Sequence, residues 1–131
     1  MNHVNFVHLR ATPRWLRLSR QERRERASLH LAEALRRAPG VSVRYFDAEA
    51  FTAHCSDVLM VETLAPHEHH WFIESLRDSE LVAGEYFELA LVVPTIEEGY
   101  QAYEAATAQG PQSLDQQSAS RGTAPAPGPT A

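Results

Sequence analysis

Val41–Thr63, VSVRYFDAEAFTAHCSDVLMVET, is the stretch whose reading decides the fold. Val41–Asp47 and Cys55–Thr63 are rich in β-branched and aromatic residues and read as two strands joined by an acidic, Phe-bearing connection. Upstream lies the pattern of a strand plus a helix, and downstream that of a helix plus a strand. The sum is a split β-α-β-β-α-β unit.

Working outward, Val4–Leu9 (VNFVHL) is the first strand, stopped near Thr12-Pro13. Ser19-Arg20-Gln21-Glu22 has the spacing of a capping box, Ser at the N-cap and Glu three residues on. The helix behind it should end before Pro39-Gly40, with Ala27, Leu31, Ala34, Leu35 and Ala38 as its apolar stripe. Pro66 suits the first position of a second helix, whose inner stripe is His69, Phe72, Ile73 and Leu76. Glu85–Val93 reads as the fourth strand, ended by Pro94. Thr95 to Glu98 then reads as another capping box, before a short helix carrying Ile96, Tyr100 and Tyr103.

The domain is expected to span residues 1–105. Residues 106–131 are an Ala/Gly/Ser/Pro/Gln-rich tail with a single leucine and no aromatic, a composition that reads as disordered. One cysteine, Cys55, precludes an internal disulfide. With no long apolar stretch, the reading is a cytoplasmic protein with no membrane partner. All twelve basic residues are arginine, which excludes lysine-based catalysis from within the chain. Ten of them precede Tyr45, and thirteen of the seventeen acids fall within residues 45–105. The net charge of −5 argues against a nucleic-acid partner. The arginine-rich helix is therefore expected as a solvated face beside Glu68, Glu74 and Asp78 of the second helix.

All four strands carry apolar residues on both faces, and two helices can cover only one face of a four-stranded sheet. A second copy meeting it sheet to sheet is the economical cover, so we expect a homodimeric α/β barrel. Several stretches in order, FVHLRATPRWLRLSRQER (Phe6–Arg23), RYFDAEAF (Arg44–Phe51), CSDV (Cys55–Val58), IESLRDS (Ile73–Ser79) and YFE (Tyr86–Glu88), resemble the darcynin family of small bacterial proteins. The resemblance implies a ferredoxin-like α+β unit with dimeric-barrel character. It carries over no catalytic residue, because the family has no assigned reaction. By fold analogy, such barrels include cofactor-independent enzymes of aromatic or polyketide-like compounds, and non-catalytic or stress-response binders.

The site expected from alternation is a small-molecule cleft on one sheet face. His8, Asp57 and Glu88 are its acid–base candidates, and Phe6, Arg10, Arg44, Phe46, Glu62 and Tyr86 its binding residues. For the third strand, either Asp57/Leu59/Val61 or Val58/Met60/Glu62 joins this face. Leu91 and Val93, with Phe87 and Leu89, are expected toward the helices. No cofactor is invoked. His67 and His70 share a helix face, with His54 and Cys55 as further donors, but the spacing matches no recognised zinc motif. Solvated or core histidines are preferred, and no metal is expected. His54 and Cys55 should diverge as strand neighbours, leaving Cys55 a small buried hydrophobe. The long Asp47–Phe51 connection is either a lid or a plain hairpin loop.

Overall fold

A computed structural model describes residues 1–108; the expected tail lies, from residue 109 on, outside the described residues. The described chain forms two compact units, Met1–Glu97 and a segment beginning at Glu98. The first contains strands β1 (His3–Ala11), β2 (Val41–Asp47), β3 (Asp57–Thr63) and β4 (Phe87–Ile96) with helices α1 (Pro13–Leu16), α2 (Arg20–Arg37) and α3 (Pro66–Asp78). The second begins with α4 (Gly99–Thr107). The four strands form one antiparallel sheet in the order β2-β3-β1-β4, the ferredoxin-like arrangement.

Local chemistry places the ends of the elements. The Ser19 hydroxyl accepts from the Glu22 amide at 3.1 Å, and the Glu22 carboxylate accepts from the Ser19 amide at 2.9 Å, so the capping box closes as expected. Pro66 opens α3. The short α1 was not anticipated. Thr12 caps it and also donates to the Glu85 carbonyl at 2.6 Å, tying the end of β1 to the approach to β4. That seats Trp15 against Phe87, with ring centroids 4.6 Å apart, and edge-on to Tyr86 at 5.5 Å.

Antiparallel register sorts the side chains into two faces. Val7, Leu9, Leu59, Val61 and Val41 point toward α2 and α3, where Ala34, Phe72 and Leu76 complete the core. Val7, Leu59, Val61, Phe72 and Leu76 are fully buried, each stabilising the fold by about 1.5–3 kcal/mol relative to exposure.

Strand β4 departs from the expected alternation. Its register against β1 shifts between His8 and Leu9: His8 opposes Leu91, whereas Leu9 opposes Leu89. Ala90 is thus an extra residue, a β-bulge. Phe87 and Leu89 face the helices, while Leu91 and Val93 cross to the other face, the reverse of their expected placement. Pro94 does not end the strand, because β4 is an edge strand and its missing N–H faces no neighbour. The Thr95 capping box also fails to form. The Thr95 hydroxyl instead donates to the Val4 carbonyl within the sheet, and α4 starts later, from a left-handed Glu98.

The charged face of α2 is solved differently from the expected inter-helix pairing. Arg36 and Arg37 pair with Glu33 on their own helix, and Arg26 reaches Glu80 at 3.0 Å. Glu68 accepts from the Gly40 amide at 2.6 Å, and Glu74 sits 3.4 Å from His70.

Candidate functional site

Three rows of residues define the face of the sheet opposite α2 and α3. Arg44, Met60, Phe6 and Val93 lie side by side; next come Phe46, Val58, His8 and Leu91; then Ser42, Glu62, Val4 and Thr95. Arg10 and Glu88 close one end, paired at 3.0 Å with both side chains largely in water. Of the residues expected to share a cleft, this face gathers Phe6, His8, Arg10, Arg44, Phe46, Glu62 and Glu88. Val58, Met60 and Glu62 supply the third strand's contribution, which resolves the ambiguity left by the sequence.

Asp57 and Tyr86 are not among them. Asp57 is 7% exposed and lies on the helix-facing side, directly opposite Asp47 of β2. Tyr86 precedes β4 and is buried beside Trp15, with the Arg14 guanidinium 4.7 Å from its ring centroid. The expected His8–Asp57–Glu88 constellation is therefore not assembled. The sheet separates His8 from Asp57, and Glu88 is engaged by Arg10. The cross-strand neighbours of His8 are Val58 and Leu91.

The helix side holds the cavity. About 380 Å³ of space opens between the sheet and the first half of α2, a volume suited to a small organic ligand. Its walls are largely apolar, from Leu9, Leu59, Trp15, Leu76, Leu81 and Phe87. Ala27 and Leu31 form the helical wall, and the small Ala27 side chain leaves the room. Two charged groups line the same space. Arg20, Arg23 and Arg24 come from α2, and Asp47, Glu49 and Asp57 from β2, the following connection and β3. Arg23 is committed to the Leu16 and Leu18 carbonyls, at 2.8 and 3.2 Å. Arg20 and Arg24 enter no ion pair among the described residues.

At the polar end, the Tyr45 hydroxyl lies 2.5 Å from Asp57 Oδ1 and 2.7 Å from Asp47 Oδ1. Ser56 Oγ donates to Asp57 Oδ2 at 2.6 Å. Two carboxylates facing each other across neighbouring strands repel, and the Tyr45 hydroxyl sits between them. It has one hydrogen and can donate to only one of them at a time. Burial of the hydroxyl, then the Asp57 and Asp47 carboxylates, push the phenol far above its usual range. The side chain as a whole is 56% exposed, so water screens part of this effect. Glu49 shows that the Asp47–Phe51 connection contributes to the cavity rim, whereas Phe51 is exposed.

A second cluster lies on the other face. His54 and Cys55 do not sit on a strand but in the irregular connection leading to β3, and they converge instead of diverging. One donor atom each from His8, His54 and Cys55 fall within 4.8 Å of one another. The His8 and His54 rings meet edge to face at 5.2 Å. His8 Nδ1 is buried with no hydrogen-bond partner among the described residues, an arrangement that costs about 1–3 kcal/mol when nothing satisfies it.

Fold and cavity together define a ferredoxin-like α+β domain with a ligand-sized space between its sheet and its helices. The darcynin domain, a domain of unknown function, matches residues 2–110, and the chain belongs to the darcynin family. It is 47% identical over 73 residues to darcynin of Chromobacterium violaceum, which covers 56% of this chain and 92% of that protein. It is 36% identical over 88 residues to darcynin 1 of Acinetobacter baumannii, covering 67% and 98%. Among solved structures, two variants of the chlorite dismutase of Candidatus Nitrospira defluvii superpose with TM-scores of 0.59 and 0.60 at 12% identity. They cover 77% and 88% of this chain but only 43% and 46% of their own, so this chain spans less than half their length. Identity that low bears on the fold alone.

Proposed function

We propose that this protein binds a small, largely apolar molecule carrying an anionic group in the cavity between α2 and the sheet. The cavity itself carries the reading: about 380 Å³, walled by Leu9, Trp15, Leu59 and Phe87, with Arg20 and Arg24 at its rim. An aromatic or polyketide-like acid has that combination of ring surface and charge, and an arginine is well suited to its carboxylate. The Tyr45–Asp47–Asp57 group gives the cavity a hydrogen-bonding polar end that would orient such a ligand. Its phenol, held protonated by burial and two carboxylates, acts there as a fixed polar group and not as the source of a transferred proton. On this scaffold the protein is then a binder without turnover.

The test uses 8-anilino-1-naphthalenesulfonate, an apolar fused ring bearing an anion. The full-length protein should bind one equivalent with enhanced fluorescence. Ala27→Phe, which fills the space from the helical wall, should abolish binding while far-UV circular dichroism and thermal unfolding stay native-like. A folded Ala27→Phe protein that binds the dye as the parent does overturns the reading.

We further propose that two copies associate through the opposite face. It presents Phe6, Phe46, Val58, Met60, Leu91 and Val93 with no helix of the Met1–Glu97 unit over them, an apolar surface of the kind that marks an association site.

A further inference from the structure

We infer that His8, His54 and Cys55 form a zinc site. It is independent of the cavity proposal, since it lies on the other side of the sheet and shares no residue with the cavity.

Three observations converge. The first is the donor set. Two imidazoles and one thiol are the ligands zinc prefers, and one donor atom from each lies within 4.8 Å of the others. A formed tetrahedral site, with bonds of about 2.0–2.3 Å, brings its donors to roughly 3.5 Å from one another. Side-chain rotation alone can supply that difference.

The second is preorganisation of the backbone. His8 is fixed in the middle of β1, between β3 and β4. The segment bearing the other two ligands is laced to the end of the same strand. Arg10 Nη2 donates to the His54 carbonyl at 2.9 Å, and the Ser56 amide donates to the Leu9 carbonyl at 2.8 Å. The Ala11 amide donates to Ser56 Oγ at 2.8 Å. The ligands are therefore held together by bonds that none of their own side chains makes.

The third is the buried His8 Nδ1, which has no partner among the described residues. An edge-to-face contact between two histidines leaves that nitrogen unpaired. A purely apolar role for Cys55, 5% exposed, likewise leaves the convergence of two imidazoles on its sulfur unexplained. A cation bound through His8 Nδ1 would satisfy that nitrogen and give the three donors a common partner. Three protein ligands leave a fourth position to water or to a ligand, the coordination of a reactive zinc. Binding would deprotonate the thiol and release a proton to solvent.

The experiment titrates chelator-treated full-length protein with Co²⁺ and then Zn²⁺. The expected result is one equivalent of Co²⁺ with a thiolate-to-cobalt charge-transfer band, displaced by Zn²⁺, and a Zn²⁺-dependent rise in unfolding temperature. Cys55→Ser should abolish the band. His54→Ala, at an exposed side chain whose removal leaves the fold intact, should weaken Zn²⁺ affinity by more than about tenfold. The double variant His67→Ala/His70→Ala should bind as the parent does. Absence of the band in the parent overturns the assignment, as does unchanged Zn²⁺ affinity in His54→Ala. Loss of binding in the His67/His70 variant would do so too.

Discussion

Tyr45 places one hydroxyl between two opposed carboxylates, Asp47 and Asp57, and can donate to either of them in turn. Asp57 is almost wholly buried and keeps two donors, Tyr45 and Ser56. Tyr45→Phe removes one of them without disturbing packing, because the ring stands mostly in water. We expect it to cost about 1–3 kcal/mol, the penalty for an under-satisfied buried acceptor, measured by urea unfolding at neutral pH. An unchanged midpoint would mean that water replaces the hydroxyl. The same residue yields a pH prediction. Its folded-state pKa is raised, so its contribution to stability is complete below the unfolded value of about 10 and declines as pH rises beyond it. In alkaline ultraviolet titration, parent minus Tyr45→Phe should show no phenolate appearing near pH 10. A phenolate there, lost on substitution, contradicts the proposed hydrogen bonding.

Among the elements, the turn from α3 into β4 is the least forgiving. A Cβ added at Gly84 would lie 2.3 Å from the Glu80 carbonyl oxygen, a backbone atom that cannot step aside. Gly84→Ala should therefore destabilise by about 1–3 kcal/mol, the usual cost of overpacking, read from thermal or urea unfolding. Along α3, partial burial and then the neighbouring His70 charge lower the pKa of His69 below its usual value. The folded state thus favours neutral His69. Its contribution is complete above pH of about 6.5 and is lost as the pH falls below it. His69→Gln should flatten the acid side of the stability–pH curve below about pH 6.5; an unchanged slope would place the dependence elsewhere. In β4 the bulge at Ala90 matters most, because it turns Leu91 and Val93 outward and so supplies two of the six apolar residues of that face.

For the molecule as a whole, the two faces of the sheet differ: one closes over the cavity, and the other carries the apolar residues through which we propose that two copies associate. Leu91 is 46% exposed, high for a strand-borne leucine, and Val93 lies two residues along on the same face. Leu91→Arg should shift a self-associating protein to monomer in sedimentation velocity, leaving far-UV circular dichroism unchanged. A parent that sediments as a monomer at all accessible concentrations defeats the association proposal. Among the described residues no helix is long and apolar enough to cross a membrane.

Local pattern by itself determined the succession of the four strands and the two long helices, the Ser19 cap and Pro66 at the start of α3. Each rests on interactions between residues close in sequence, or on a period that neighbouring residues repeat. The exact span of Val41–Asp47 followed from the same rule. What the tertiary structure alone decided is how the faces are populated. One inserted residue in β4 reverses every side chain after it, and alternation carries no mark of a bulge until a partner strand is present. Asp57 and Tyr86 went to the helix side, where Tyr45 and Trp15 could meet them, and His8 was left with His54 and Cys55 for neighbours. Those meetings join residues twelve to seventy-one positions apart, or lie in an irregular segment whose path is set by hydrogen bonds to β1. A linear reading sees which side chains exist. Only the folded chain, paying the entropy of closing those loops, determines which of them touch.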